Sequence, residues 1–314
     1  MVPAETLLRR AFLAASLLLL ASCATPRGVP GRTLLQRRAL ALSGPMVGLT
    51  PRAVADNRDF TYAVELSAAP SSLAWSHLAA GSFRLGLWSL DPEPAARADV
   101  RLNDVEFDVE ALAFSPDGSQ VAAASRDGSI KLFDAMNGRM VASAKAEEPL
   151  SALAWSPDGL HLVAGGARGL VAIFDAATGG AGPSLRAHRD EVRALAFDDS
   201  GTLWSGSWDK CAVRFELRAA EGGLALLEEK ARHEFPHFVN DLSVSRDGAR
   251  LGVAFGEEKA ERNYAVYQRE KKGIVEPLRE GNSAAIVDAR SGAVLRRLVV
   301  HHGIVASAAI SPDG

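Results

Sequence analysis

The chain has 314 residues, 47% of them apolar, a formal net charge of −3 and two cysteines, Cys23 and Cys211. Such a chain can bury a large core and is not a disordered polymer. It lacks the basic stripe with interleaved aromatics that nucleic-acid binding requires, and two cysteines set up no disulfide framework.

In chain order, Arg9 and Arg10 precede an apolar run from Ala11 to Ala21. The run is short for a membrane-spanning helix and suits the core of a signal peptide. It ends in Leu20-Ala21-Ser22-Cys23, and with that ending it resembles a bacterial lipoprotein signal. The resemblance implies that residues 1–22 are removed and that the Cys23 sulfur carries a diacylglycerol. Several acyl chains on one residue would then hold the protein durably to a membrane. An Asp after the cysteine tends to retain such proteins at the inner membrane. Ala24 stands there instead, which implies the outer membrane, facing the periplasm. The alternative is an ordinary signal, or a short anchor, with a chance cysteine. Residues 23–58 carry Pro26, Gly28, Pro30, Gly31, Gly44, Pro45, Gly48 and Pro51 and read as a lipid-anchored linker, with a short helix allowed over Thr33 to Leu42. Cys211 is then a free thiol, most simply a small buried residue beside a strand.

Residues 59–314 are built on a repeat. Ser-Pro-Asp-Gly stands at Ser115–Gly118, Ser156–Gly159 and Ser311–Gly314, with degraded copies at Asp198–Gly201 and Ser245–Gly248. Counted from the first residue of each, the spacings are 41, 42, 47 and 66 residues. Each turn follows an alternating apolar segment such as Ala111-Leu112-Ala113-Phe114 or Arg193-Ala194-Leu195-Ala196-Phe197, which suits a strand buried on both faces. A period in the low forties with strand–turn–strand content predicts an all-β fold, a β-propeller of four-stranded antiparallel blades. Five blades start near Ser71, Ala111, Ser151, Arg193 and Asn240, and the last turn opens a sixth. Thr61–Leu66 reads as an outer strand that closes the ring with the C-terminal blade. Because the chain ends on a turn between two strands, further sequence beyond Gly314 is expected.

The segment from His188 to Arg218 is the most regular: strand, turn, Leu203-Trp204-Ser205-Gly206-Ser207, Trp208-Asp209-Lys210, then Ala212-Val213-Arg214-Phe215-Glu216. It resembles a WD-repeat blade. In that family a His, a Ser or Thr, an Asp and a Trp hydrogen-bond to knit the blade. The matching positions are His188, one of Ser205 or Ser207, and Asp209, while Phe215 stands where the Trp would be. Asp127 matches in the second blade, Arg168 occupies the Asp position in the third, and His301 returns before Ala308. These shared residues are read as structural.

Candidate binding positions lie where the repeat is broken or where the resemblance marks a surface loop. Trp208 precedes the structural Asp209 on the face that propellers use for partners; exposed it would be an anchor, packed it would be core. Arg126 and Ala167 are its equivalents. Between Phe255 and Ala284 lies a long charged insertion, either a dedicated contact element or a solvated loop. Tyr264, Tyr267 and Arg269 are its plausible anchors. His233 and His237 are four residues apart, but Pro236 breaks the helix that would align them, so no metal site is expected. No catalytic constellation and no cofactor motif stands out. The reading that follows is a membrane-tethered, extracytoplasmic propeller acting as a scaffold or adaptor for an unknown protein partner, without nucleic acid. The alternative is an enzyme, with a small-molecule site in the propeller channel or a catalytic domain beyond residue 314.

Overall fold

A computed structural model of the chain describes residues 60–66, 72–79, 82–89, 100–102, 109–135, 137–219, 225–256, 281–299, 305–311 and 314. Every regular element in these segments is a β-strand. The first sheet is β1 (Phe60–Leu66), β2 (Ser72–Ala79), β3 (Ser82–Ser89) and β4 (Val100–Leu102). The second is β5 (Val109–Phe114), β6 (Gln120–Ser125), β7 (Ser129–Asp134) and β8 (Met140–Lys145). The third is β9 (Leu150–Trp155), β10 (His161–Gly166), β11 (Leu170–Asp175) and β12 (Ala181–Arg186). The fourth is β13 (Val192–Phe197), β14 (Thr202–Ser207), β15 (Cys211–Ala219) and β16 (Ala225–Glu234). The fifth is β17 (Phe238–Val244), β18 (Arg250–Gly256), β19 (Ala284–Asp288) and β20 (Val294–Leu298). Each of the five is a four-stranded antiparallel meander in sequence order, and each first strand packs beside the first strand of the next sheet. This is a β-propeller of four-stranded blades.

The turns are local chemistry. Ser115 Oγ donates to Asp117 Oδ1 at 2.6 Å, the Ser119 amide donates to the same oxygen at 3.0 Å, and the Gln120 amide donates back to Ser115 Oγ at 2.9 Å. Ser156, Asp158 and Ser245, Asp247 repeat the pattern. The fourth residue has φ near +70° at Gly118 and Gly159, a region open to glycine at little cost. In the fourth sheet Asp198 takes the serine's position and gathers the Ser200 and Thr202 amides itself, both at 2.9 Å.

The core lies between sheets rather than inside one. Leu162, Ala164, Leu170 and Phe174 pack towards the second sheet, with Ile130 and Leu132. Val163, Val171 and Ile173, their strand neighbours, pack towards the fourth sheet, with Val192, Leu203, Val213 and Phe215. Strands buried on both faces explain the near-continuous apolar runs. Close approach between sheets also explains the glycine of Ser205-Gly206-Ser207. A Cβ on Gly206 would stand 2.6 Å from Val239 Cγ1 of the next sheet, and one on Gly165 would stand 2.6 Å from Val192 Cγ1.

The first strand of every sheet carries one extra residue, a β-bulge. The register skips Tyr62 in β1, Glu110 in β5, Ser151 in β9, Arg193 in β13 and Asn240 in β17. Among those with described side chains, the bulged residues turn towards the turn loops or the neighbouring sheet.

One expectation is corrected. Thr61–Leu66 lies in β1, which pairs with β2 and heads the first sheet as its inner strand; it is not an outer strand closing the ring. The link to β2 is short, and strands joined by a short link form a hairpin before any distant pairing competes. Beyond β20, residues 305–310 lie along β17. Asn240 Nδ2 donates to Val305 O at 3.1 Å, and the Ile310 amide donates to Ser243 Oγ at 2.9 Å. Asp241 Oδ2 takes the Ser307 hydroxyl and the Ala308 amide. The segment occupies the place that an inner strand of a following blade would take.

Candidate interaction face

One end of the sheets gathers the candidate residues. The links β12–β13 and β14–β15 meet there, because Val192 pairs with Ser207. His188, in the first link, is 3% exposed. Its Nδ1 lies 3.0 Å from Asp209 Oδ2 and its Nε2 lies 2.6 Å from Ser205 Oγ. A carboxylate on Nδ1 selects the tautomer with the proton there, so Nε2 accepts the serine hydroxyl. Asp209 also receives the amides of Arg189 and Cys211, both at 3.0 Å. Burial pushes its carboxyl up, but the hydrogen bond from His188 and those from the two amides outweigh it and hold the pKa at about 2.

Of the two serines open to the sequence, Ser205 contacts His188, while Ser207 Oγ donates to the Asp190 carbonyl at 3.1 Å. Phe215 is fully buried in the core between the third and fourth sheets and brings no donor to this network. Cys211 is a free, buried thiol beside it, and burial pushes its pKa up, so it is poorly suited to act as a nucleophile.

Related turns in the neighbouring sheets solve the same problem with other residues. In the second sheet Asp127 accepts the Ser129 amide at 2.9 Å and pairs with Lys145 Nζ at 2.9 Å. In the third sheet, where Arg168 replaces the Asp, a carboxylate arrives from elsewhere. Glu148, 4% exposed, accepts the Arg168 amide at 2.7 Å and the Leu170 amide at 3.3 Å, and pairs with Arg186 at 3.1 Å. Glu148 was missed by sequence reasoning. The one trace of it is Gly166, where the second and fourth sheets have Ser125 and Ser207: a Cβ there would collide with the Glu148 carboxylate.

Trp208 takes the packed alternative. It is 3% exposed, its indole N–H donates to Asn240 Oδ1 at 2.9 Å, and the Arg193 guanidinium lies 5.0 Å from the ring centroid. The anchor reading of Trp208 is therefore corrected: the bulged residues Arg193 and Asn240 clamp the ring before any partner could reach it. Arg126, its equivalent in the second sheet, is half-exposed and pairs with the bulged Glu110 at 2.8 Å. Tyr264, Tyr267, Arg269 and His301 lie outside the described residues. The insertion that carries the two tyrosines joins β18 to β19, and it leaves β18 at this same end, since Phe238 pairs with Gly256. His233 stacks on Trp204 at 5.6 Å and its Nε2 bonds the Ala289 carbonyl, whereas His237 packs against Phe255. Among the described residues no cluster of His, Cys, Asp or Glu has metal-site geometry.

The profile of the WD domain, G-beta repeat, matches residues 104–134, 138–175 and 182–213. These three segments are similar to WD40 repeats. Each matched repeat after the first runs from the outer strand of one sheet into the first strands of the next, so His188 and Asp209 share a repeat although His188 follows the third sheet's last strand. No curated protein sequence matches the chain. Among solved structures, a chain of the "Crystal Structure of Mitotic Checkpoint Complex" is similar, with a TM-score of 0.62, 19% identity, and coverage of 82% of this chain and 71% of that one. At that identity the likeness concerns the fold, which 1648 chains share at comparable significance. A fold so widely used does not fix a function.

Proposed function

We propose that the chain is a membrane-tethered, extracytoplasmic propeller that serves as a protein-interaction scaffold or adaptor. The observation that carries this reading is the insertion between β18 and β19. The corresponding links β6–β7, β10–β11 and β14–β15 each hold three residues, whereas Gly256 and Ala284 are separated by 27. A rigid repeat interrupted once by a long, charged segment is the form a contact element takes on a scaffold. The WD40 repeats and the fold likeness to a chain of a multiprotein assembly support the same reading. At the other end of the sequence, Leu20-Ala21-Ser22-Cys23 followed by Ala24 supports lipid attachment at Cys23 and an outer-membrane, periplasm-facing location.

The test uses the full chain in a bacterial envelope. Cross-linking followed by affinity capture is compared between wild type and a variant in which residues 257–280 are replaced by a Gly-Asn turn. The wild type should retain one or more partners that the variant loses. Equal capture by both would remove the insertion from the proposal. Radiolabelled fatty acid should enter the wild type and not Cys23→Ala; absence of label from the wild type would remove the tether.

A further inference from the structure

We propose that Asn137 is a site of spontaneous covalent modification, at which its side-chain amide cyclises onto the Gly138 nitrogen and releases ammonia. Asn137 is the one asparagine of the chain that precedes a glycine. It stands exposed in the link from β7 to β8, at the outer rim of the second sheet. The Gly138 nitrogen gives its proton to hydroxide and attacks the side-chain carbonyl carbon of Asn137. A cyclic imide closes, and Nδ2 leaves as ammonia, taking a proton from water. A further water then opens the imide at either carbonyl. One product is an aspartate. The other is an isoaspartate, whose main chain runs through the side-chain methylene. Nucleophile and carbonyl belong to adjacent residues, so no encounter has to be arranged.

Three features of the turn favour the reaction. The Arg139 N–H donates to Asn137 Oδ1 at 2.8 Å. Negative charge develops on that oxygen during the addition, and a donor already fixed there stabilises it. The departing Nδ2 makes no hydrogen bond to a described residue, so water can protonate it. Gly138 has no Cβ to shield its nitrogen, and its φ of +71° favours glycine at this position. One bond opposes the attack: the Gly138 N–H donates to Asp134 O at 2.8 Å and must be released first. That release is local, because β8 is the edge strand of its sheet, and its Met140 and Val141 are exposed. Segments with little apolar burial open at low cost.

The sister turns β11–β12 and β19–β20 keep the same frame without the reactive group. The Thr178 and Ser291 amides donate to Asp175 Oδ1 and Asp288 Oδ1, as the Asn137 amide does to Asp134 Oδ1 at 3.0 Å. Their hydroxyls also donate to these carboxylates, at 2.6 and 2.7 Å, and accept an amide two residues on. Asn137 reproduces only the acceptor half of that role. The turn therefore has no need of an asparagine, and what asparagine adds is a carbonyl carbon open to attack. The isoaspartyl product lengthens the main chain between Asp134 and Arg139 by a methylene. The closing bond from the Asp134 N–H to Arg139 O, at 2.9 Å, then loses its register and loosens β8 from β7. β8 also meets the third sheet, where a Cβ on Gly179 would collide with Ser143 O. Modification of one rim turn thus weakens the join between two sheets. The site stands independently of the insertion and of the tether.

The experiment ages the native full chain in mildly alkaline buffer and maps its peptides by mass spectrometry, with isoaspartyl methyltransferase labelling as a second readout. Isoaspartate should accumulate at Asn137 several times faster than at the buried Asn240 and Asn282, and faster still as hydroxide rises. Asn137→Ser installs the residue of the fifth sheet's turn, so it should fold. It should lose the label and keep its thermal midpoint on ageing, whereas the midpoint of the wild type falls. The chain unfolded in urea supplies the intrinsic rate. Modification of the unfolded chain with none in the native chain, or label undiminished in Asn137→Ser, overturns the proposal. A midpoint unmoved by the modification overturns the loosening of β8.

Discussion

Glu148 accepts the backbone N–H of Arg168 at 2.7 Å, and so the third sheet keeps a carboxylate at its second turn although the residue at the Asp position is a cation. The fourth sheet supplies that carboxylate from within the turn, as Asp209; the third supplies it from the preceding link, across Gly166. The polar requirement of the turn persists, and the residue that meets it has moved.

That exchange can be measured. Glu148→Ala leaves the Arg168 and Leu170 amides without their carboxylate acceptor and Arg186 without its ion-pair partner, and should cost about 2–3 kcal/mol. Arg168→Asp alone places a second carboxylate beside Glu148 and should also destabilise. Together the two substitutions restore one carboxylate at one turn, so the double variant should be more stable than the sum of the single losses by at least 1 kcal/mol, roughly the scale of coupled neighbours. Urea unfolding of the four proteins gives the cycle; strict additivity would separate the two residues.

Acid should reveal Asp209. Its folded pKa, at about 2, lies below the unfolded value. The stability it contributes is therefore fully present above about pH 4 and is lost as pH falls towards 2, an amount of about 2 kcal/mol. Asp209→Asn should be less stable at pH 6 and should show a shallower loss of stability between pH 4 and pH 2. Other turn aspartates such as Asp117 are also lowered, so part of the slope persists. A slope identical to wild type would place the linkage elsewhere.

Trp208→Phe separates packing from recognition. It removes the indole donor and leaves Asn240 Oδ1 without it, which should cost about 1–2 kcal/mol. Asn240→Ala should lose most of its own effect in that background. An unchanged melting temperature for Trp208→Phe, with lost partner capture, would mean that the ring is presented after all.

Lys210→Gly relieves the strained backbone at φ +73°. The thermal midpoint should rise, by an amount worth under about 1 kcal/mol because glycine also frees the unfolded chain. A lowered midpoint would mean that the ammonium's contact with Phe238 outweighs the strain.

Much of the architecture was legible because its signals are short-ranged. Ser115, Asp117 and Gly118 complete a turn among themselves, and Phe133-Asp134 and Phe174-Asp175 mark strand ends the same way: Asp134 and Asp175 each accept an amide three residues on. The His188–Asp209 pair was legible through resemblance to a repeated pattern. Glu148 was not, since its carboxylate serves amides 20 and 22 residues away and nothing local distinguishes it from an ordinary surface glutamate. The same limit applies to β1: the strand was visible, but its pairing partner was not.

The sequence by itself determined the repeat, the turn positions and the blade class, because hydrophobic alternation and turn chemistry act within a few residues. Only the tertiary structure decided what each polar side chain does. Trp208 became core because Arg193 of its own sheet and Asn240 of the next close over it, and the cleft between β12 and β16 exists because those strands come from different sheets. Contacts between sheets depend on how far apart the chain holds them, and that distance is written in no single segment.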